Sequence, residues 1–455
     1  MATGVTQDLS VIAVLKEYYG VQDVEALVFR NSPVLAQIKK IRVGGKYVPL
    51  PMLAYGSGAV TADYTQLNNQ AANTYLGLTM QVTPGQLFSA FVLDPKEFLA
   101  SQSDKAAYRS VFAIRAMLSL DDLRKTLATC FYRTGCLEMG PVLAVDTARL
   151  YVDVDPSTAM AISPQSQILF APSVTANNRD PNAVTIQSIA TQQTSGLVRV
   201  TFTSQFVASV AIGDLLLLKG GRDANLQPNA PVGMAAWLPT IGNRSTAAWT
   251  TYIATNFFGV NRSVAPDRLA GNFVQRNSGA GETYTQAILR LIKQIRRGGG
   301  VPNMIVVNDE DFQQVVNDAL ANRTFMQQIP GKEKNAVTQG ITQFQMAFST
   351  SWINMVYDDP YCPRGTFYAF DMDSVRLFGI SNTGPVVDDI PTDNQPGGPE
   401  ATDQGELTTR YEFLVDDMYT TKPVDLQSGP GIRYDLQVYA SFALTNPAHN
   451  GVGLF

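Results

Sequence analysis

The chain has 455 residues, a formal net charge of −5 and only 16% charged residues, with 45% hydrophobic content. That length allows two or three domains, and the composition is that of a folded chain, not a disordered one. The acidic balance argues against a dedicated nucleic-acid binder, no apolar run reaches the ~18 residues of a membrane span, and sparse charge implies surface turned toward other protein.

The opening segment "MATGVTQDLSVIAVLKEYYG" lacks a basic n-region and carries Asp8 ahead of its short apolar run. It therefore does not read as a secretory signal, and cytoplasmic synthesis is expected. Val11, Leu15, Tyr18 and Tyr19 recur at helical spacing, Gly20 is a stop, and Val24, Leu27 and Val28 follow, so the first 29 residues predict an amphipathic helical arm. From Gly44 to Phe91 the pattern is extended and loop-rich. Pro49 and Pro51 forbid helix and confine any strand to an edge, Gly56 and Gly58 mark turns, and "TYLGLTMQV" (Thr74 to Val82) predicts a returning strand. A long two-stranded excursion fits this segment.

The strongest helix follows. Ser103 or Asp104 is placed to cap it, apolar residues recur at Tyr108, Val111, Ile114, Leu118, Leu123, Leu127 and Phe131, and Gly135 closes it. About thirty residues predict a rod of roughly 45 Å, with Ser119-Leu120-Asp121 as an alternative second start and kink. Residues 145–235 turn β-rich: "LVRVTFTSQF" alternates cleanly, and "VASVAIGDLLLLKGG" predicts a strand pair around a turn. A helix over Glu282 to Arg297 carries Ile288, Leu291, Ile292 and Ile295 on one stripe. Strand "MIVVN", helix "DEDFQQVVNDALANR" and strands near "INMVY", "TFYAF" and "SVRLF" complete an α+β order. The acidic, Pro/Gly-rich stretch "DDIPTDNQPGGPEATDQGE" predicts an exposed loop, and "RYDLQVYASFAL" a long strand with a period-2 apolar face.

The residue types that carry chemistry form no catalytic pattern. His449 is the one histidine, and nothing in the sequence places it beside a nucleophile. "IPGKEKN" lacks the leading glycine and the Ser or Thr of a phosphate loop, and the Gly298-Gly299-Gly300 run misses dinucleotide spacing. Asp153/Asp155, Asp358/Asp359 and Asp371/Asp373 are weighed as ligands for a hard cation, but each pair sits at a strand end before Pro or Ser, where Asp makes turn hydrogen bonds. Cys130, Cys136 and Cys362 form no CxxC motif and fit a reducing compartment as buried small hydrophobes. No catalytic residue, cofactor or metal is expected.

Three stretches carry a resemblance. "NSPVLAQI" followed by "GGKYVPLPMLAYG" (Asn31 to Gly56), "FFGVNRSVAPDRLAG" (Phe257 to Gly271) and "YDDPYCPRGTFYAFDMDSVRLF" (Tyr357 to Phe378) resemble, in order, signatures of tailed-phage major capsid proteins of the Hong Kong 97 fold. Ser32-Pro33 departs from the usual Asn-Pro pairing, and the acidic loop 385–406 has no counterpart in that pattern. The resemblance implies an N-terminal arm (1–43), an extended β loop (44–93), a peripheral domain with the long spine helix (94–145 and 405–455) and an axial domain (280–404). The segment 146–235 would be a β-rich insertion and 236–279 a connecting stretch.

By the same resemblance the chain is a non-enzymatic, self-assembling subunit of an icosahedral head, found in the virion and assembled in the bacterial cytoplasm. Its partners are itself in hexamers and pentamers, a portal, possible scaffold and decoration proteins, and enclosed double-stranded DNA bound without sequence specificity. No membrane is involved. The extended loop reaches a neighbouring copy, through Tyr55, Gly56, Tyr64, Tyr75, Leu76 and Leu78, by backbone pairing and apolar contact. Another phage structural protein, such as a tail-tube subunit, shares the β-rich, low-charge character but has no need of a thirty-residue spine helix.

Overall fold

The computed structural model describes residues 33–43, 46–55, 62, 76–93, 118–119, 122–192, 195–241, 244–321, 344–348, 351–380, 424–425 and 432–455, and mixes helix and sheet along the chain. The chain divides into two compact units. The smaller takes in Met1–Asn31, Phe88–Arg124 and Met418–Gln437. Its described parts include an antiparallel pairing of Val424 and Asp425 with Arg433 and Ile432, and a 2.7 Å contact between the hydroxyls of Ser89 and Ser119. The features below belong to the larger unit, except residues 118–124 of the expected spine helix.

Six strands close into a barrel in the order Leu215–Leu218, Glu138–Val145, Tyr151–Val154, Val198–Phe202, Val184–Thr191, Gln167–Ala171, every neighbouring pair antiparallel. Alternation drives the closure: Val198, Val200 and Phe202 turn inward, while Arg199 and Thr201 between them stay half-exposed. Phe170, Phe202 and Phe206 meet in the interior with ring centroids 5.3 to 5.8 Å apart, amid Met139, Val152 and Leu216. On the outside Arg199 grips Asp153 of the neighbouring strand through two hydrogen bonds of 2.9 and 3.1 Å.

Two details differ from the sequence expectation. The strand Glu138–Val145 lies before residue 146, where the β-rich segment was expected to begin. The stretch 207–219 holds one strand, Leu215–Leu218, instead of a pair. Phe206 and Val210 turn into the barrel core there, and Gly213 (φ 92°) and the Asp214 carboxylate, which accepts from Ala211 N at 2.8 Å, make a turn.

A six-stranded mixed sheet runs Asn272–Gln275, Gly451–Leu454, Thr366–Phe370, Met304–Val307, Ser351–Asp358, Phe344–Phe348. Helix Tyr284–Arg297 presses Ala287, Ile288, Leu291, Ile292 and Ile295 onto Val274, Ile305, Val307 and Phe367 of this sheet. That is the stripe of a 3.6-residue period. The helix starts at Tyr284 because Thr283 and Gln286 form a capping box, each side chain taking the other's backbone N–H. Helix Asp309–Ala321 adds Phe312 and Val315 to the same core.

The C-terminal strand Gly451–Leu454 was expected with the peripheral segments, yet it lies second in this sheet, between Asn272–Gln275 and Thr366–Phe370. Gly453 is opposite Phe367, whose ring stands 2.1 Å from where a Cβ would be. Only glycine lets the aromatic ring lie over the backbone there.

A further sheet sets Lys39–Val43 parallel to Val375–Ile380, which pairs antiparallel with Ala440–Leu444. Helix Pro33–Gln37 precedes it, with Val34 and Ile38 buried. Residues 33–43, expected as the end of an arm, are thus part of the body. Of the expected spine helix, Leu118–Ser119 and 122–131 are helical; 103–117 and 120–121 lie outside the described residues.

Candidate functional site

The excursion expected from 44–93 contains an antiparallel pair, Val48–Tyr55 with Leu76–Val82. Tyr55 is the register partner of Leu76, and Leu78, half-buried, lies opposite Met52. The pairing thus brings three of the loop residues named from sequence onto one two-stranded sheet. Gly56, Tyr64 and Tyr75 lie outside the described residues.

The two faces are unlike. Val48, Leu50, Met52, Met80 and Val82 are buried, while Pro49, Pro51, Gly77, Thr79 and Gln81 are exposed. The two edges differ as well. Gln81 N donates to Phe258 O at 2.8 Å, so the odd-numbered amides of Leu76–Val82 point away from Val48–Tyr55. Their partners across the ladder are Pro49, opposite Gln81, and Pro51, opposite Thr79. The prolines therefore sit where an amide would face outward, and they strip that edge of two donors. The other edge keeps the amides of Gly77 and Thr79. No charged residue occurs in either strand, so whatever this sheet holds, it holds by backbone hydrogen bonds and apolar contact.

One root of the pair is held by Phe258, a contact no local sequence signal announces. The following segment is tied down separately, where Gln86 N donates to Asn229 O at 2.7 Å. Phe258 and Gly259 (φ 50° and 83°) form the two-residue turn between Asn256–Phe257 and Val260–Asn261, and positive φ at both positions is what such a tight hairpin requires.

The residues weighed for chemistry are engaged in caps, turns and ion pairs. Asp155 caps helix Pro156–Ala159 and accepts from Ser157 N at 3.1 Å. Asp359, fully buried, accepts from Tyr132 Oη at 2.7 Å and from Tyr361 N at 3.0 Å, so the "YDDPYC" turn fastens the end of the 122–131 helix. Burial first, then the nearby Asp359 charge, pushes the Tyr132 phenol well up and keeps it a donor. Asp371 accepts from Asp373 N and lies 3.2 Å from His449 Nδ1, whose Nε2 faces Asn446 Nδ2 at 2.9 Å, not a hydroxyl nucleophile. Burial pushes Cys130 up to about 12 and raises Cys136 and Cys362 too, so none of the three is a thiolate at neutral pH.

An open cleft of about 460 Å³ is lined by Pro141, Leu143 and Asp155 of the barrel region and by Arg276, Arg364 and Phe455 of the sheet region. Arg364 crosses it, 2.9 Å from Glu310 and 3.7 Å from Asp155. Among the described residues no group of three or more His, Cys, Asp or Glu is placed to hold a metal ion, and no helix is long and apolar enough to cross a membrane.

No family model matches the sequence, and no curated protein matches it. Solved structures align with it over nearly its full length, at low identity and with TM-scores below 0.5. The capsid asymmetric unit of cyanophage A-1(L) is 12% identical with a TM-score of 0.46, over 95% of this chain and 95% of that one. Mycobacterium phage Bobi is 11% identical with a TM-score of 0.39, over 98% of this chain and 97% of that one. The SrpI encapsulin of Synechococcus elongatus PCC 7942, solved as a holo complex, is 8% identical with a TM-score of 0.40, over 97% of this chain and 94% of that one.

Proposed function

We propose that this chain is the major capsid subunit of a tailed bacteriophage, assembling with copies of itself into the icosahedral head that encloses double-stranded DNA. The observation that carries the reading is that the three capsid-like sequence stretches are joined to one another in the fold. Gln37 of the first donates to Tyr357 Oη of the third at 3.0 Å, and the strand Lys39–Val43 lies along Arg376–Ile380. Phe258 of the second accepts from Gln81, whose register partner is Pro49 of the first. Segments far apart in sequence and tied together in this way constrain one architecture, not three local ones.

On this reading the role is structural, not catalytic, and the work is done by contacts between identical subunits whose rotations close. The segments take the roles the resemblance implies (arm, extended loop, peripheral domain with spine helix, axial domain and barrel insertion), except that 33–43 and Gly451–Leu454 join the sheets of the body and Glu138–Val145 joins the barrel. Loop residues Tyr55, Gly56, Tyr64, Tyr75, Leu76 and Leu78 meet the neighbouring copy, with pairing directed to the Leu76–Val82 edge because prolines blunt the other. Pentamers and hexamers of the chain, a portal, scaffold and decoration proteins are its partners, the virion is its location, and host cytoplasm the place of assembly. An acidic, charge-poor subunit leaves packaged DNA free to move, since tight phosphate binding on the inner wall would impede filling.

The test is electron microscopy of the purified full chain, expressed alone and with the genes adjacent to its own. Closed icosahedral shells are expected. Open tubes, or monomers under both conditions, would overturn the reading.

A further inference from the structure

We infer that Arg262 is a positioning residue: with Tyr252, Trp237, Phe257 and Phe258 it forms a socket that sets the direction in which the Val48–Val82 strand pair leaves the body.

Arg262 is a charge in an apolar place. Arg262 is 2% exposed, and burial lowers its pKa. Among the described residues no carboxylate forms an ion pair with it, and its Nε has no hydrogen-bond partner. What it does have is a hydrogen bond from Nη2 to Ala236 O at 2.7 Å and two aromatic faces, Phe257 at 3.8 Å and Tyr252 at 4.7 Å from its guanidinium carbon. A buried cation without a counter-ion is a large penalty that a methionine or leucine of similar volume would avoid. Cation–π contact in a desolvated site offsets part of that penalty, and it does so only while the rings stay where they are.

Those rings continue to the strand pair. Phe257 stacks edge-on against Trp237 at 4.9 Å and touches Phe258 at 4.5 Å, while Trp237 is anchored by its own Nε1 bond to Phe442 O at 3.0 Å. Phe258 holds a left-handed backbone, φ 50°, that a bulky aromatic residue adopts only when its surroundings over-determine it. In that conformation its carbonyl is presented to Gln81 N. Arg262 thus locks Phe257, Phe257 and Trp237 lock Phe258, and Phe258 holds the root of a sheet that has only two strands and little core of its own. A fixed root gives each copy one exit angle, and on the capsid reading above, on which this consequence alone rests, one exit angle in every subunit is what a closed lattice needs.

The test uses the full chain as unassembled subunits, with spin labels on Thr79→Cys and Lys293→Cys, both exposed, the native cysteines being buried. Two variants are compared with the parent: Arg262→Met removes the clamp, and Gln81→Pro removes the outward N–H that meets Phe258 O while leaving Arg262 and the inward ladder amides untouched. The expected result is a narrow label-to-label distance distribution in the parent that broadens at least twofold in both variants, with circular dichroism unchanged. If Arg262→Met does not fold, Gln81→Pro decides. An unchanged distribution in a folded Arg262→Met, or in Gln81→Pro, overturns the socket. Broadening in a protein whose parent never forms shells leaves the socket standing and removes the capsid reading instead.

Discussion

The barrel and the two-stranded pair are both antiparallel and both alternate apolar with polar residues, yet they solve the edge problem in opposite ways. The barrel closes on itself, so its six strands satisfy one another and bury Phe170, Phe202 and Phe206 inside. The pair cannot close. It blunts one edge with Pro49 and Pro51, leans Met80 and Val82 into the body, and on the other edge joins Phe258 through Gln81 N. An isolated two-stranded sheet is marginal in water, so this one depends on what lies at its root. Self-sufficiency and reach are alternative uses of the same periodicity.

Gly56, which follows Tyr55 at the end of the first strand, is where one substitution should cost the pair most. Gly56→Glu is expected to abolish shell formation altogether while leaving the thermal melt of the subunit unchanged, because a buried carboxylate would face the next copy. Particle counts in micrographs beside a calorimetric scan read both. Normal shells from the variant would show that the loop does not carry the contact. In the barrel the effect should fall on stability instead. Phe202→Ala leaves a cavity among three packed rings and should destabilise the barrel by about 3–5 kcal/mol, read as a lower urea midpoint.

A smaller effect concerns pH. Burial raises the Glu138 carboxyl above its ordinary value of 4.5, against the opposing influence of Arg133 and the Thr134 hydrogen bonds. A raised acid binds more protons folded than unfolded, so stability falls as pH rises from that value through the folded pKa. Glu138→Gln keeps a partner for Thr134 and should flatten this slope; equal slopes in urea midpoints between pH 4.5 and neutrality would count against it. Asp214 has the opposite sign. Burial would raise it, but the Arg179 and Ala211 hydrogen bonds and the Arg179 charge hold it low, so its contribution is lost only in more strongly acidic solution. Smallest of all is the response to salt. With no charge in either strand of the pair, shells should persist in about 1 M salt, since screening acts on exposed charges. Shells that dissolve in salt alone would place the hold on charge pairs elsewhere.

How much of this was legible depended on the range of the interaction. The stripe Ile288, Leu291, Ile292 and Ile295 announced helix Tyr284–Arg297 because its period is local, and Pro49 and Pro51 announced extended backbone because each restricts its own φ. The alternation of Val198, Val200 and Phe202 likewise declared a half-buried strand. Other features had no local signal. Gly451–Leu454 has too little side chain to show a period, and it becomes a sheet strand because Phe367 covers Gly453 from across the ladder. The stretch after Phe206 looked like two strands, but Val210 was needed inside the barrel and the chain turned to deliver it. No local pattern marks Arg262 as a buried cation or Gln81 as the donor to Phe258. Which residues avoid water and where the backbone cannot be helical follow from a residue and its near neighbours, and so are written locally. Which strands close, which glycine a ring must cover and which carbonyl holds the root of the reaching pair depend on partners tens to hundreds of residues away, and emerge only when the chain folds.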